Sequence, residues 1–238
     1  LSINTTYFTP ASSFKIHSGT ANNEHLESTK SLSRKKRGIA EANYLWPQGS
    51  TIKIGFTNLS KDEEKMVKEN INKWAPYVNL KFEFVTAPKK ADVRVEVDPT
   101  TDEGYAWVGT NSTKHPDDKA HVTIGTKASK EFIEDTIMHE WGHVLGLQHE
   151  HQHPNRKLEQ SYFAHSPVLP DDDSLIISPY DKDSIMHYTA EYNSDGKLVF
   201  SSKQISEKDK EFVSKLYPPL PKKTSPPASK HPLQNPPN

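Results

Sequence analysis

The run His139-Glu140-Trp141-Gly142-His143-Val144-Leu145-Gly146-Leu147-Gln148-His149 places three imidazoles, one carboxylate and one turn glycine within eleven residues. An open zinc site takes three protein ligands and leaves a position free for water. A carboxylate beside it can take that water's proton. His139 and His143 are four residues apart, so on a helix they lie about 40° apart on one face, one turn above the other. Glu140 falls about 100° round from His139. That is too far for a third ligand and close enough to touch a water on the metal. Ile133, Ile137, Trp141, Val144 and Leu145 fall on the opposite side, giving an apolar back and a metal-binding front. Gly146 can adopt a left-handed conformation and end the helix, so that His149 returns to the ion from another direction.

A second segment pairs with the first. Asp183-Ser184-Ile185-Met186-His187-Tyr188 puts a methionine 37 residues after His149. Met186 would form an apolar, polarisable floor beneath the histidines. The extended histidine pattern is a metzincin signature, and Ser-Ile-Met-His-Tyr resembles the methionine turn of those proteins.

Within that group the chain resembles the astacins. Glu150 directly follows the third histidine, where adamalysins tend to carry aspartate, matrixins serine or threonine, and serralysins proline. Tyr188 fits astacins or serralysins. Tyr44-Leu45-Trp46-Pro47 followed by Ile52-Lys53-Ile54 looks like the start of an astacin domain. The resemblance covers about residues 38 to 217. It implies a zinc endopeptidase with one catalytic Zn(2+) on His139, His143 and His149. Glu140 is then general base and proton donor, and Tyr188 a reversible ligand that stabilises the oxyanion. Glu150 would anchor a new amino terminus after propeptide removal. It also implies an α+β fold: a mixed twisted sheet with two helices in an upper subdomain, and a loop-rich lower subdomain ending in a helix. A protein or peptide substrate would lie extended along an edge strand, which 104–110 resembles. Tyr105 or Trp107 either lines that cleft or packs beneath it. The alternatives are a serralysin- or matrixin-like peptidase, or a silent zinc-binding scaffold. The chain departs from astacins in having no cysteine, and in His151-Gln152-His153-Pro154-Asn155-Arg156 where an arginine- and aspartate-rich stretch is usual. His151 and His153 read as surface residues, with competition for metal as the alternative.

Composition fits one domain with tails. The net charge of −1 divides into +4 for residues 1–37, +3 for 217–238 and −8 between them. An acidic core argues against nucleic acid as a partner. No apolar run approaches the roughly 20 residues of a membrane span. Residues 1–37 end in Arg34-Lys35-Lys36-Arg37, which reads as a processing site before Gly38, so 1–37 is expected to be a propeptide of a secreted zymogen. Residues 218–238 read as a Pro-rich tail. Asn58-Leu59-Ser60 and Asn111-Ser112-Thr113 permit glycosylation.

Further elements follow from patterning. Ile52, Ile54 and Phe56 alternate as a strand, as do Leu80, Phe82 and Phe84, and Val93, Val95 and Val97. Tyr105–Val108 and Val122–Ile124 are shorter strands. Ser60 with Glu63 opens a helix through a capping box, and Ser206 opens the last one. Between His149 and 206 little regular structure is expected.

Overall fold

The computed structural model describes residues 38–115, 119–156, 167–169, 173–188, 190–192, 194–195, 198–200 and 202–219. The propeptide expectation for 1–37 and nearly all of the Pro-rich tail lie outside these residues.

The centre is a five-stranded sheet built from β2 (Thr51–Phe56), β3 (Lys81–Val85), β4 (Val93–Asp98), β5 (Gly104–Ala106) and β6 (Val122–Gly125), in the order β3-β2-β4-β6-β5. Its first four strands are parallel; β5 closes one edge antiparallel to β6, with Tyr105 opposite Thr123. Alternation sets the faces. Ile52 and Ile54 are buried while Thr51 and Lys53 are exposed, and Val93, Val95 and Val97 are buried on β4. On the edge strand β3, Phe82 and Phe84 are only half-buried.

Two helices cover the apolar face. Helix α1 (Lys61–Asn72) begins at the expected capping box: Ser60 accepts from Glu63 N–H while Glu63 reaches back to Ser60 N–H. Val67 and Ile71 then face inward. Helix α2 (Lys130–Val144) lies beside it and carries the histidines. Trp74 donates its indole N–H to Met138 O at 3.0 Å, and Phe82 meets Trp141 edge to face at 5.3 Å. These contacts fix α2 on the sheet and against α1. The expected apolar back is present, but the front is not solvated: every residue from Ile137 to Val144 is buried.

Below α2 the chain is loop-rich, with three short strands that patterning missed. β7 (Leu175–Ile177) pairs antiparallel with β1 (Ile39–Glu41), and β8 (Ala190–Tyr192) pairs with β9 (Leu198–Phe200). Three residues are too few for a period to register. Strand β1 is held on its other side too, since Ile39 O accepts from Gln148 N–H and Glu41 N–H donates to Gly146 O. Gly38 O accepts from Ser178 N–H, and Gly38 sits against the Phe212 ring. Helix α3 (Glu207–Leu216) starts at Ser206 as expected and buries Phe212, Val213 and Leu216. Among the described residues no helix is long and apolar enough to cross a membrane.

Candidate metal centre

Gly146 takes φ +93°, and the end of α2 is a Schellman motif. Leu147 N–H donates to Gly142 O and Gly146 N–H to His143 O. The remaining carbonyls of this end would be orphans in a buried place. Val144 O accepts from the Trp46 indole at 2.7 Å, Leu145 O from the Tyr217 hydroxyl at 2.8 Å, and Gly146 O from Glu41 N–H. This accounting locks the turn that delivers His149.

The three histidines converge. One ring nitrogen from each of His139, His143 and His149 lies within 4.8 Å of the others. His139 Nδ1 is 2.7 Å from Ile185 O, and His143 Nδ1 is 2.7 Å from Leu147 O. A carbonyl can only accept, so both Nδ1 atoms carry the proton and both Nε2 atoms present lone pairs. His143 Nε2 and His149 Nε2 are 3.1 Å apart, while the buried His139 Nε2 has no hydrogen-bond partner. Burial holds all three imidazoles in the neutral form, with His143 lowered to about 4. Neutral imidazoles backed by carbonyls are what a divalent metal needs. Two nitrogens at tetrahedral zinc distances would stand about 3.4 Å apart. The donor set therefore fits zinc.

Glu140 is buried, and burial raises its carboxyl to about 8. Tyr188 stacks on His139 with ring centres 4.5 Å apart and leans on His149 at 4.8 Å. Burial, then the charges of Glu140 and Glu103, drive its hydroxyl well above 10. Met186 lies beneath α2: a Cβ on Gly142 would stand 2.3 Å from Met186 Sδ. Spacing thus brought together the residues the sequence singled out. Glu150 is buried and accepts from Asp181 N–H at 2.7 Å; burial outweighs that bond and, with the nearby Asp209 and Asp181 charges, raises its carboxyl to about 8.

Two expectations need correction. His151 and His153 are buried, not on the surface. His153 donates from Nε2 to Ser178 O and accepts at Nδ1 from Asn155 N–H, so both nitrogens are committed within the protein. His151 lies flat on His149 with ring centres 4.9 Å apart. The loop after the third histidine folds under the site, which no period could reveal. The edge strand is also shorter than expected, ending at Ala106. Tyr105 is exposed and meets Trp107 edge to face at 5.8 Å, while Trp107 stacks on His115 at 3.5 Å.

Asp209 was invisible as a site residue. From the first turn of α3 it accepts from the Ser184 hydroxyl at 2.6 Å and from Ile185 N–H at 2.8 Å, fixing the turn that holds Met186. Asn58 is spoken for as well: its amide both donates to Val97 O and accepts from Val97 N–H, at 2.8 and 2.9 Å. A glycan there would break that pair.

The model of the Astacin peptidase family matches residues 38–216. The chain is 24% identical over 173 residues to zinc metalloproteinase nas-39 of Caenorhabditis elegans, covering 68% of this chain and 18% of that protein. It is 23% identical over 169 residues to zinc metalloproteinase nas-2 of the same organism, covering 65% of this chain and 58% of that protein. The chain thus spans less than two thirds of these curated relatives. Among solved structures, myroilysin superposes with a TM-score of 0.65 at 26% identity, over 76% of this chain and 99% of that one. High choriolytic enzyme 1 of Oryzias latipes, a hatching enzyme zinc-protease, shares the fold with a TM-score of 0.51 at 17% identity, over 74% and 95%.

Proposed function

The chain belongs to the astacin family of peptidases, and from that membership we propose that it is a zinc-dependent endopeptidase acting on proteins. The observation that carries the reading is the convergence of three neutral imidazoles, two with Nδ1 fixed by carbonyls and one with an unpartnered buried Nε2. His139, His143 and His149 would hold one Zn(2+). When bound, zinc supplies Lewis acidity to the scissile carbonyl and acidifies the attacking water.

The protein's residues do the rest. Glu140, in a dry pocket that raises its basicity, takes the proton from the attacking water and returns it to the leaving amine. Tyr188, kept protonated by burial, donates its hydroxyl to the oxyanion of the tetrahedral intermediate. Met186 supports the histidines from below. An extended substrate peptide would pair with the outer edge of β5, the last strand of the sheet. Glu150 would receive the ammonium of Gly38 once 1–37 is removed; a buried carboxylate beside other acids gains from such a partner. Secretion as a zymogen belongs to the same reading, and amino-terminal sequencing of the active form tests it. Activity with 1–37 still attached would remove that part.

Casein cleavage with matched metal analysis tests the core of the proposal. A chelator should abolish turnover, and added zinc should restore it. Glu140→Ala should keep about one zinc per chain while losing about 10²- to 10⁴-fold in kcat. Substantial turnover in that variant would take Glu140 out of the mechanism.

A further inference from the structure

Gly104 stands where the edge strand crosses the candidate base. Its backbone is not left-handed, so conformation alone would accept alanine. Space would not. A Cβ at this position would stand 2.4 Å from Glu140 Oε1, 2.8 Å from Glu140 Cγ and 2.6 Å from Thr136 Cγ2. The Oε1 is the far end of a flexible side chain, but Cγ and the Thr136 methyl lie one bond beyond Cβ and move away only by a change of χ1. Thr136 lies one turn before Glu140 on α2, and its hydroxyl is tied to Phe132 O at 2.9 Å. On the strand side, Gly104 is held in register opposite Ile124. The backbones of both elements are held by their own ladders, so the side chain of Glu140 is what gives way.

We infer that Gly104 is a positioning residue for Glu140: its missing side chain lets strand β5 close over the carboxylate and set where that carboxylate stands. This rests on the reading of Glu140 as general base. The strand that would bind substrate is therefore also one wall of the base's pocket. The hydrogen of Gly104 that a methyl would replace points at α2, not at the cleft edge. A methyl there displaces Glu140 while leaving the peptide-binding edge in place. Misplacing a catalytic group by about 1 Å can cost about a hundredfold in rate.

The test is a double-mutant cycle in the zinc-loaded form of the protein that cleaves casein, carrying Thr136→Ser, which removes the competing methyl and keeps the hydroxyl. Gly104→Ala is introduced with Glu140 present and in a Glu140→Ala background. With Glu140 present, the expected result is a melting temperature several degrees lower. In the same protein kcat on casein should fall at least about tenfold, with KM within about threefold and zinc content unchanged. In the Glu140→Ala background the melting temperature should not fall. Equal destabilisation in both backgrounds, or failure to fold in both, overturns the inference, as does kcat retained within about twofold. The thermal arm needs no activity. If Glu140→Ala alone keeps its turnover, the mechanism fails, while the packing claim is still decided by the melts.

Discussion

Gly142 shows what a single hydrogen atom can decide. It sits inside α2, the helix that carries His139 and His143, where glycine costs about 1 kcal/mol of helix stability relative to alanine. Met186 Sδ occupies the space a side chain would need. Gly142→Ala should thus destabilise the fold by about 1–3 kcal/mol despite its better helix propensity. Thermal melts check the sign: a stabilised variant would mean that the methionine turn yields freely. Such a role was not legible from the sequence, because Gly142 and Met186 are 44 residues apart and neither residue type announces a contact. The histidines were legible for the opposite reason. Their spacing is itself a geometry, four residues on a helix and then a glycine turn. His151 and His153 were misread because a loop residue's burial depends on what folds over it.

At the scale of elements, α2 is held by its end and its underside. Trp46 and Tyr217, almost the full length of the domain apart in sequence, cap the same turn. Asp209 ties α3 to the methionine turn through two bonds and also closes its own helix's capping box with Ser206. Asp209→Ala would leave Ile185 N–H buried without that acceptor. A loss of about 2–4 kcal/mol is expected from the unsatisfied donor and the broken cap together. Metal affinity should weaken with it, because Ile185 O orients His139. Denaturant titration and zinc competition measure the two effects; an unchanged zinc affinity would uncouple α3 from the site. The helices themselves were readable from their capping boxes and apolar faces. That the last one would brace the methionine turn was not, since a cap residue's second partner leaves no local trace.

Across the whole molecule, burial has filled the interior with groups held neutral, and the two kinds respond oppositely to pH. Burial lowers His151 to about 3 and His187 to about 4. Between those values and 6.5 the unfolded chain binds more protons, so stability is lost as pH falls through that window. Glu140 and Glu150 are raised to about 8. Between about 4.5 and 8 the folded chain binds more protons than the unfolded one, so their contribution is lost as pH rises. In metal-free protein His139, His143 and His149 are lowered too, so the histidines outweigh the carboxyls below 6.5, and stability should peak near about pH 6–7 and weaken by a few kcal/mol toward either side. Urea denaturation of chelator-treated protein at about pH 4, 6.5 and 8 checks this. A flat profile would mean that these groups are not buried in the folded state. Zinc should flatten the alkaline side if it brings charge to Glu140.

Strand β1 carries a consequence for timing. Ile39–Glu41 is bonded to β7 on one side and to the 146–148 turn on the other, and Gly38 is clasped by Ser178 and the Phe212 ring. A processing enzyme grips several residues beyond the bond it cuts, in extended form. With β1 docked, the residues just after the Arg37–Gly38 bond are already taken. Under the proposed removal of 1–37, cleavage there would have to find the strand before it docks or while it frays. The rate of cutting at that bond would then be a clock for the opening of β1. It should quicken in urea well below the concentration that unfolds the sheet.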